Sequence, residues 1–263
     1  VQANDLDYIR TVLNDKNIQP AEKEATIRKY VETLEFKDLV SIGNSLAIES
    51  GVNWYEDVSY TEVAHTLFGA FFKGKEIPFQ QLVDEVQNKE RHPAWRSFVL
   101  SVSFEHTQTQ PTSDLARYFE NMKEIALDTT ENSYLRSNVI LCFTNLLKNN
   151  ALKNKTSETI EILLQILNDP SQNEIVLRTT IRSLRSIYQW RLKENVSKEF
   201  IRNNITALEK KWQAYPDSIK VEIAEMLVYT FGDTSILPQL REMEKSTDVK
   251  ILKWQIKELI RNI

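Results

Sequence analysis

Residues 159–170 read TIEILLQILNDP, and residues 175–184 read IVLRTTIRSL. The apolar residues of the first segment recur at intervals of three and four, which predicts a short helix with one buried face. The Asn-Asp-Pro sequence at its end predicts a turn, and the second segment predicts another helix, which includes a Leu-Arg pair. A helical hairpin of this kind cannot bury its apolar faces alone. We therefore expect neighbouring copies along the chain.

The same second-helix pattern recurs in the C-terminal half. An apolar residue is followed by Arg or Lys, and further apolar residues come three and six positions after the basic one. The copies begin at Leu135-Arg136, Leu177-Arg178, Ile219-Lys220 and Leu252-Lys253. Their basic residues are 42, 42 and 33 positions apart, in or near the range of two-helix repeats. Trp95-Arg96, 40 positions before Arg136, is a plausible fifth copy.

This pattern resembles the HEAT repeat, and Pro238 within residues 236–240 looks like the proline of a HEAT first helix. The resemblance is clearest over residues 90–263. It implies an all-α fold built as a right-handed α-solenoid of about seven antiparallel hairpins, a HEAT/ARM-like superhelix. We predict a single solenoid domain over residues 1–263, with a divergent or capping part over 1–90 and more regular repeats over 91–263.

Composition and local signals agree with packed helices. The 263 residues are 41% hydrophobic and 27% charged, with only 5 glycines. Apolar period, caps and prolines predict helices at 5–14, 20–34, 37–49, 56–73, 79–88, 93–106, 113–127, 132–149, 156–168, 173–192, 197–214, 217–231, 235–245 and 248–262.

Charge is distributed unevenly along the chain. The net charge is −4, which argues against a general nucleic-acid binder because phosphate contacts need a basic surface. Residues 1–90 carry 9 basic and 16 acidic residues, a net of −7. Residues 178–220 carry 10 basic and 4 acidic residues, a net of +6. The basic segment is therefore the place to look for an acidic partner.

A row of basic residues is the first candidate contact surface. Arg178, Arg182 and Arg185 share one face of a helix, and the repeat register adds Arg136 and Lys220 at equivalent positions. Second helices line the concave side of a solenoid, so this row predicts a site for an acidic or phosphorylated peptide. The alternative interpretation is local pairing with acidic residues of the adjoining turns, for which Asp169, Glu174 and Asp217 are available.

Two aromatic residues form the second candidate. Trp54 and Tyr55 lie in a predicted loop between Gly51 and the helix that starts at residue 56. Exposed rigid aromatic side chains are frequent binding hot spots, so we include both residues among the predicted partner contacts. The alternative is burial as a lid over the end of a hairpin.

The sequence offers little for catalysis. Its three histidines, His65, His92 and His106, lack metal-site spacing, and Cys142 is the one cysteine. No nucleophile elbow, P-loop or dinucleotide motif occurs. We therefore predict no enzyme activity, no metal and no cofactor. A HEAT-like DNA glycosylase would use aromatic residues in a basic groove, and Trp190 and Trp212 lie in the basic segment, although packing explains them more simply.

We predict a non-catalytic scaffold that binds a protein or peptide on a concave face. The alternatives are a nucleic-acid binder or glycosylase that uses residues 178–220, and a structural module of a cell-envelope assembly. No apolar run approaches the roughly 20 residues of a membrane span, so we expect no membrane insertion. The small-residue pattern Val1-Gln2-Ala3 predicts a signal-peptidase cut before about Asn4, but a cytoplasmic location stays open. The oligomeric state is not predicted.

Overall fold

The structure is a computed structural model that describes residues 3–50, 68–69, 71–72, 75–195, 203 and 206–263. All regular secondary structure in these residues is helical, which confirms the all-α prediction. The chain divides into two compact units, residues 1–110 and residues 111–263. The predicted single domain over the whole chain stays a prediction.

The first unit contains five labelled helices, and the described residues 68–69 and 71–72 are also helical. The labelled helices are α1 (Ala3–Asn14), α2 (Pro20–Val31), α3 (Phe36–Ser50), α4 (Phe79–Gln87) and α5 (Pro93–His106), which is followed by a 3-10 turn at Thr107–Thr109. Pro20 and Pro93 begin their helices, where the missing N–H costs little. Helix α1 packs against α2, and both α3 and α4 pack against α5.

Trp95 is the centre of the core of this unit. Its ring is fully buried and contacts the buried ring of Phe68, with the ring centroids 5.1 Å apart. Its indole Nε1 donates to Glu85 Oε2 at 3.1 Å. Helix α3 lies so close that a Cβ at Gly43 would be 2.9 Å from Phe68 Cζ and closer still to the Trp95 ring. Gly43 is therefore required by the close approach of a backbone to an aromatic ring.

The second unit contains seven labelled helices. They are α6 (Thr112–Leu127), α7 (Ser133–Leu146), α8 (Thr156–Leu167), α9 (Glu174–Asn195), α10 (Asp217–Glu225), α11 (Leu237–Ser246) and α12 (Lys250–Arg261). Shorter pieces are a 3-10 helix at Asn150–Lys155, a helical segment at residues 206–210, a 3-10 turn at Trp212–Ala214 and a π turn at Met226–Thr230.

Helices of the second unit pack as neighbouring hairpins. Helix α6 packs against α7, α8 against α9, and α11 against α12. The later helices of these hairpins and α10 also contact one another in chain order, α7 with α9, α9 with α10 and α10 with α12. Val139, Leu177, Ile181 and Ile223 are fully buried in these contacts. Each hairpin therefore covers apolar surface that its neighbour cannot bury alone.

The turn between the two helices of a hairpin has the same hydrogen bond in three places. The side-chain Oδ1 of Asn88 accepts from the backbone N of Glu90 at 3.0 Å. Asp128 accepts from Thr130 at 2.9 Å, and Asp169 accepts from Ser171 at 3.0 Å. These residues are 40 and 41 positions apart. The turns therefore give a structural measure of the repeat length.

Predicted and observed ends of the labelled helices differ by three residues at most, except at the C-terminal end of α10. The predicted helix at 56–73 falls largely on residues outside those described, and the one at 197–214 does so in part. The predicted helix at 217–231 is α10 with its π turn. Gly232 ends this segment with φ at 64°, and its backbone N donates to Val228 O at 3.0 Å.

Candidate partner-binding surface

Arg136 is the first member of the predicted basic row, and it is buried. Only 3% of the residue is exposed. Its Nε and Nη2 donate to the carbonyl oxygen of Ala126 at 3.1 and 2.9 Å, and its Nη1 donates to Gln172 Oε1 at 2.7 Å. Burial is the main cause that lowers the pKa of Arg136 below its ordinary value. Arg136 caps the end of α6, so its placement on a partner-facing row is corrected.

Arg96 occupies the same position in the first unit. It is 2% exposed, and its Nε donates to the carbonyl oxygen of Val86 at 2.7 Å. Both arginines lie ten residues after the carbonyl that they bind, and four residues after a side chain that caps their helix. These caps are His92, whose Nδ1 accepts from Ala94 N at 3.2 Å, and Asn132, whose Oδ1 accepts from Tyr134 N at 3.0 Å.

A third such residue, Asn173, directly precedes α9, and its Oδ1 accepts from Ile175 N at 2.9 Å. Four residues later comes Leu177, which is fully buried. The equivalent of Arg136 is therefore Leu177. The repeat register inferred from the sequence, which pairs Arg136 with Arg178, is wrong by one residue. Arg178 lies one position after the buried one, and 37% of its side chain is exposed.

Three arginines of α9 surround one carboxylate of α10. Arg182 Nη2 donates to Glu222 Oε1 at 2.7 Å. Arg178 Nε and Arg185 Nη1 each lie 3.9 Å from a Glu222 carboxylate oxygen. Arg185 also pairs with Glu225 at 3.0 Å. We call Arg178, Arg182, Arg185, Glu222 and Glu225 the arginine–glutamate cluster. Its formation brings together the three α9 residues that the sequence placed on one face.

Pairing with local acidic residues also occurs at the margins of the cluster. Arg178 Nη2 binds Glu174 at 2.7 Å, and Lys220 Nζ binds Asp217 at 3.1 Å. Glu174 and Asp217 are two of the three partners that the alternative interpretation named. The Lys220 side chain is only 11% exposed, so Lys220 also falls outside an open basic row.

Arg182 is the accessible member of the cluster. Its side chain is 63% exposed, whereas that of Glu222 is 14% exposed. A guanidinium carries five N–H donors in a planar fork, and the contact with Glu222 uses one of them. The remaining edge faces solvent, while the half-buried carboxylate fixes its orientation. This geometry can accept a second carboxylate or a phosphate without rearrangement.

The sequence interpretation missed Glu222 and the exposed side of α12. Glu222 follows the basic segment by two positions, and only its packing against α9 shows its role. Ile251 and Trp254 are 60% and 59% exposed. Both fit an apolar helical pattern that predicts burial, so periodicity alone could not identify them as surface residues.

Of the remaining aromatic candidates, only the Trp212 side chain falls within the described part of the chain. Trp54 and Tyr55 lie outside the described residues, as does the side chain of Trp190. Trp212 is 4% exposed, which agrees with a packing role. A buried indole cannot stack on a nucleotide base.

Groups with catalytic potential are few in the described part of the chain. It contains no cluster of three or more His, Cys, Asp or Glu residues that could hold a metal ion. His92 caps α5 through its Nδ1, which accepts from Ala94 N at 3.2 Å, and its backbone N donates to Asn44 Oδ1 at 2.7 Å. Burial raises the pKa of the Cys142 thiol to about 12, so this thiol is a poor nucleophile at neutral pH.

Within the described ranges, no helix combines the length and the apolar character needed to cross a bilayer. Comparison of the chain with protein-family models, with curated proteins and with solved structures finds no match.

Proposed function

We propose that the chain is a non-catalytic scaffold that binds an acidic segment of another protein at the arginine–glutamate cluster. We further propose that its hairpins continue as a right-handed, HEAT/ARM-like α-solenoid of about seven hairpins. The observation that carries the binding proposal is the exposed guanidinium of Arg182, held at 2.7 Å from a carboxylate that is itself largely covered. Support for the solenoid comes from the chain-order contacts of α7, α9, α10 and α12.

Pre-organisation is the physical reason to expect binding here. A free arginine side chain loses rotamer freedom when it binds a ligand, and this loss opposes association. Glu222 already restricts Arg182, and Arg178 and Arg185 lie at 3.9 Å from the same carboxylate. A partner carboxylate or phosphate would then meet donors that are already positioned. Charge-assisted hydrogen bonds of this kind are stronger than neutral ones.

An acidic protein segment suits the cluster better than a nucleic acid. The basic residues of the cluster are balanced locally by Glu174, Glu222 and Glu225. A polyanion that binds by counterion release needs many uncompensated cations along its backbone. A short segment with a few carboxylates needs only one or two exposed donors. The proposed ligand is therefore a short acidic peptide.

The test measures fluorescence anisotropy of a labelled glutamate-rich peptide, with a single-stranded oligonucleotide of equal length as the second probe. We expect the peptide to bind more tightly than the oligonucleotide, and its affinity to fall with salt. The Arg182→Gln variant should weaken peptide binding about tenfold, because a charged hydrogen bond is lost. Arg241→Gln, on the exposed side of α11, is the matched control and should bind like the parent.

Two results would count against this site. One is equal affinity of Arg182→Gln and the parent for the peptide. The other is tighter binding of the oligonucleotide with a steep salt dependence, which would favour the nucleic-acid alternative. Turnover of a nucleic-acid substrate by the protein would contradict the non-catalytic assignment.

A further inference from the structure

The exposed side of α12 carries large apolar side chains. Ile251 is 60% exposed and Trp254 is 59% exposed, and Val249, directly before the helix, is 51% exposed. The opposite side of the helix is buried through Ile256 and Leu259. The helix is thus held in the unit by one face and presents a second apolar set to solvent. A group of this kind marks a contact surface more often than a single exposed residue does.

Cations surround this apolar set. Lys250, Lys257 and Arg261 lie four positions before, three after and seven after Trp254, which places all of them on the same side of the helix. Lys257 and Arg261 have side chains that are 56% and 73% exposed. With Lys253, the helix has four cations and one carboxylate, Glu258, a net of +3.

Two of these four cations have a carboxylate of the described residues within 4 Å, and two do not. Lys257 Nζ lies 4.0 Å from Glu244, and Arg261 binds Glu258 at 2.9 Å. Among the residues that the structure describes, Lys250 and Lys253 form no ion pair. The α12 surface therefore differs from the arginine–glutamate cluster, in which each cation has a carboxylate within 4 Å.

We propose that α12 docks the protein on the surface of a bilayer that contains anionic lipid. Tryptophan favours the headgroup region of a membrane, and Lys and Arg are attracted by anionic headgroups. Stable peripheral binding needs two contributions, and an apolar insertion beside a basic cluster supplies both. The Val249, Ile251 and Trp254 side chains project from the unit, which suits a soft planar surface. This proposal is independent of the peptide site, because it depends on different residues.

The test is sedimentation with vesicles of phosphatidylcholine alone and of phosphatidylcholine with phosphatidylserine. We expect the parent protein to sediment with the anionic vesicles and to be released from them by high salt. It should not sediment with vesicles of phosphatidylcholine alone. Trp254→Ala should reduce binding about tenfold, as expected for loss of an inserted aromatic side chain. The double variant Lys250→Gln/Lys257→Gln should reduce it comparably. Leu141→Ala removes another exposed apolar residue, 52% exposed in α7, and should change nothing.

Absence of binding to anionic vesicles would overturn the proposal, as would equal binding of Trp254→Ala and the parent. Concentration-dependent self-association that Trp254→Ala abolishes, without vesicle binding, would assign the surface to a second copy of the chain and also overturn it. The Arg182→Gln variant separates the two sites. It should retain full vesicle binding even if it no longer binds the glutamate-rich peptide.

Discussion

The α6–α7 and α8–α9 hairpins have the same turn and the same helix start, yet they satisfy the end of their first helix in different ways. In α6–α7, Arg136 reaches back ten residues to the carbonyl oxygen of Ala126. In α8–α9 the equivalent residue is Leu177, whose side chain has no hydrogen-bond donor. The carbonyl oxygen of Leu167 instead accepts from Tyr215 Oη at 2.5 Å, and that of Asn168 accepts from Lys211 Nζ at 2.5 Å.

The difference shows that a basic residue near the start of a second helix has two possible roles. At the fourth position after the cap it is buried and binds a carbonyl of its own hairpin. One position later, as in Arg178, it lies on the surface and can pair with a carboxylate of the next hairpin. Helix α9 uses this freedom for Arg178, Arg182 and Arg185. The carbonyl oxygens at the end of α8 accept instead from Lys211 and Tyr215, in the segment before α10.

The largest expected effect is at Leu177. Leu177→Asp places a charge in a fully buried position between hairpins, and we expect a loss of about 4 kcal/mol in the free energy of unfolding. Gln189→Asp, on the exposed side of the same helix, should change it by about 0.5 kcal/mol. Urea denaturation followed by circular dichroism measures both. A stable Leu177→Asp protein would disprove the register proposed for α9.

The next effect separates the two kinds of arginine. Arg136→Met removes three donated hydrogen bonds, two to the Ala126 carbonyl oxygen and one to Gln172, so we expect a loss of about 3 kcal/mol. Arg178→Met removes an exposed ion pair with Glu174 and should cost about 0.5 kcal/mol. The comparison uses the same denaturation experiment. Equal losses for the two variants would mean that Arg136 and Arg178 are equivalent after all.

A smaller effect is expected at Tyr215. Tyr215→Phe removes the hydroxyl that donates to Leu167 O, at a cost of about 1 kcal/mol. Burial raises the pKa of Tyr215 to about 12, with a smaller contribution from Asp169. The pKa of this tyrosine is near 10 in the unfolded chain. Between pH 10 and pH 12 the hydroxyl therefore ionises more readily when the protein is unfolded, which favours unfolding. Parent protein should lose stability over this range, and Tyr215→Phe should lose less. Identical pH profiles would contradict the assignment.

Local signals in the sequence were sufficient for the helices. Pro93, Asn132 and Asp217 lie at or beside observed helix starts, because proline and capping preferences act within a few residues. The register of the repeats was harder to predict, since the apolar-Arg pattern aligns Arg136 with Arg178, whereas the structural equivalent of Arg136 is Leu177. Whether an arginine is buried depends on a carbonyl ten residues earlier, which no pattern of apolar residues reports.

The candidate surfaces were predicted only in part. One-face spacing identified Arg178, Arg182 and Arg185, and charge counts identified their segment. The contribution of Glu222 depends on the packing of α10 against α9, at a separation of 40 residues from Arg182. Trp254 was not predicted, because a tryptophan in an apolar helical pattern is usually buried and its exposure depends on which helices neighbour α12.

We propose that Arg136 stabilises the fold whereas Arg182 binds a partner. The most direct test is the thermal midpoint of the parent and of Arg182→Gln, with and without saturating glutamate-rich peptide, since a ligand stabilises the state that it binds. Without peptide, the two midpoints should agree within about 3 °C. With peptide, the parent midpoint should rise, and the Arg182→Gln midpoint should rise by less than half as much. An equal rise in both proteins, or a large loss of stability in Arg182→Gln alone, would contradict the claim.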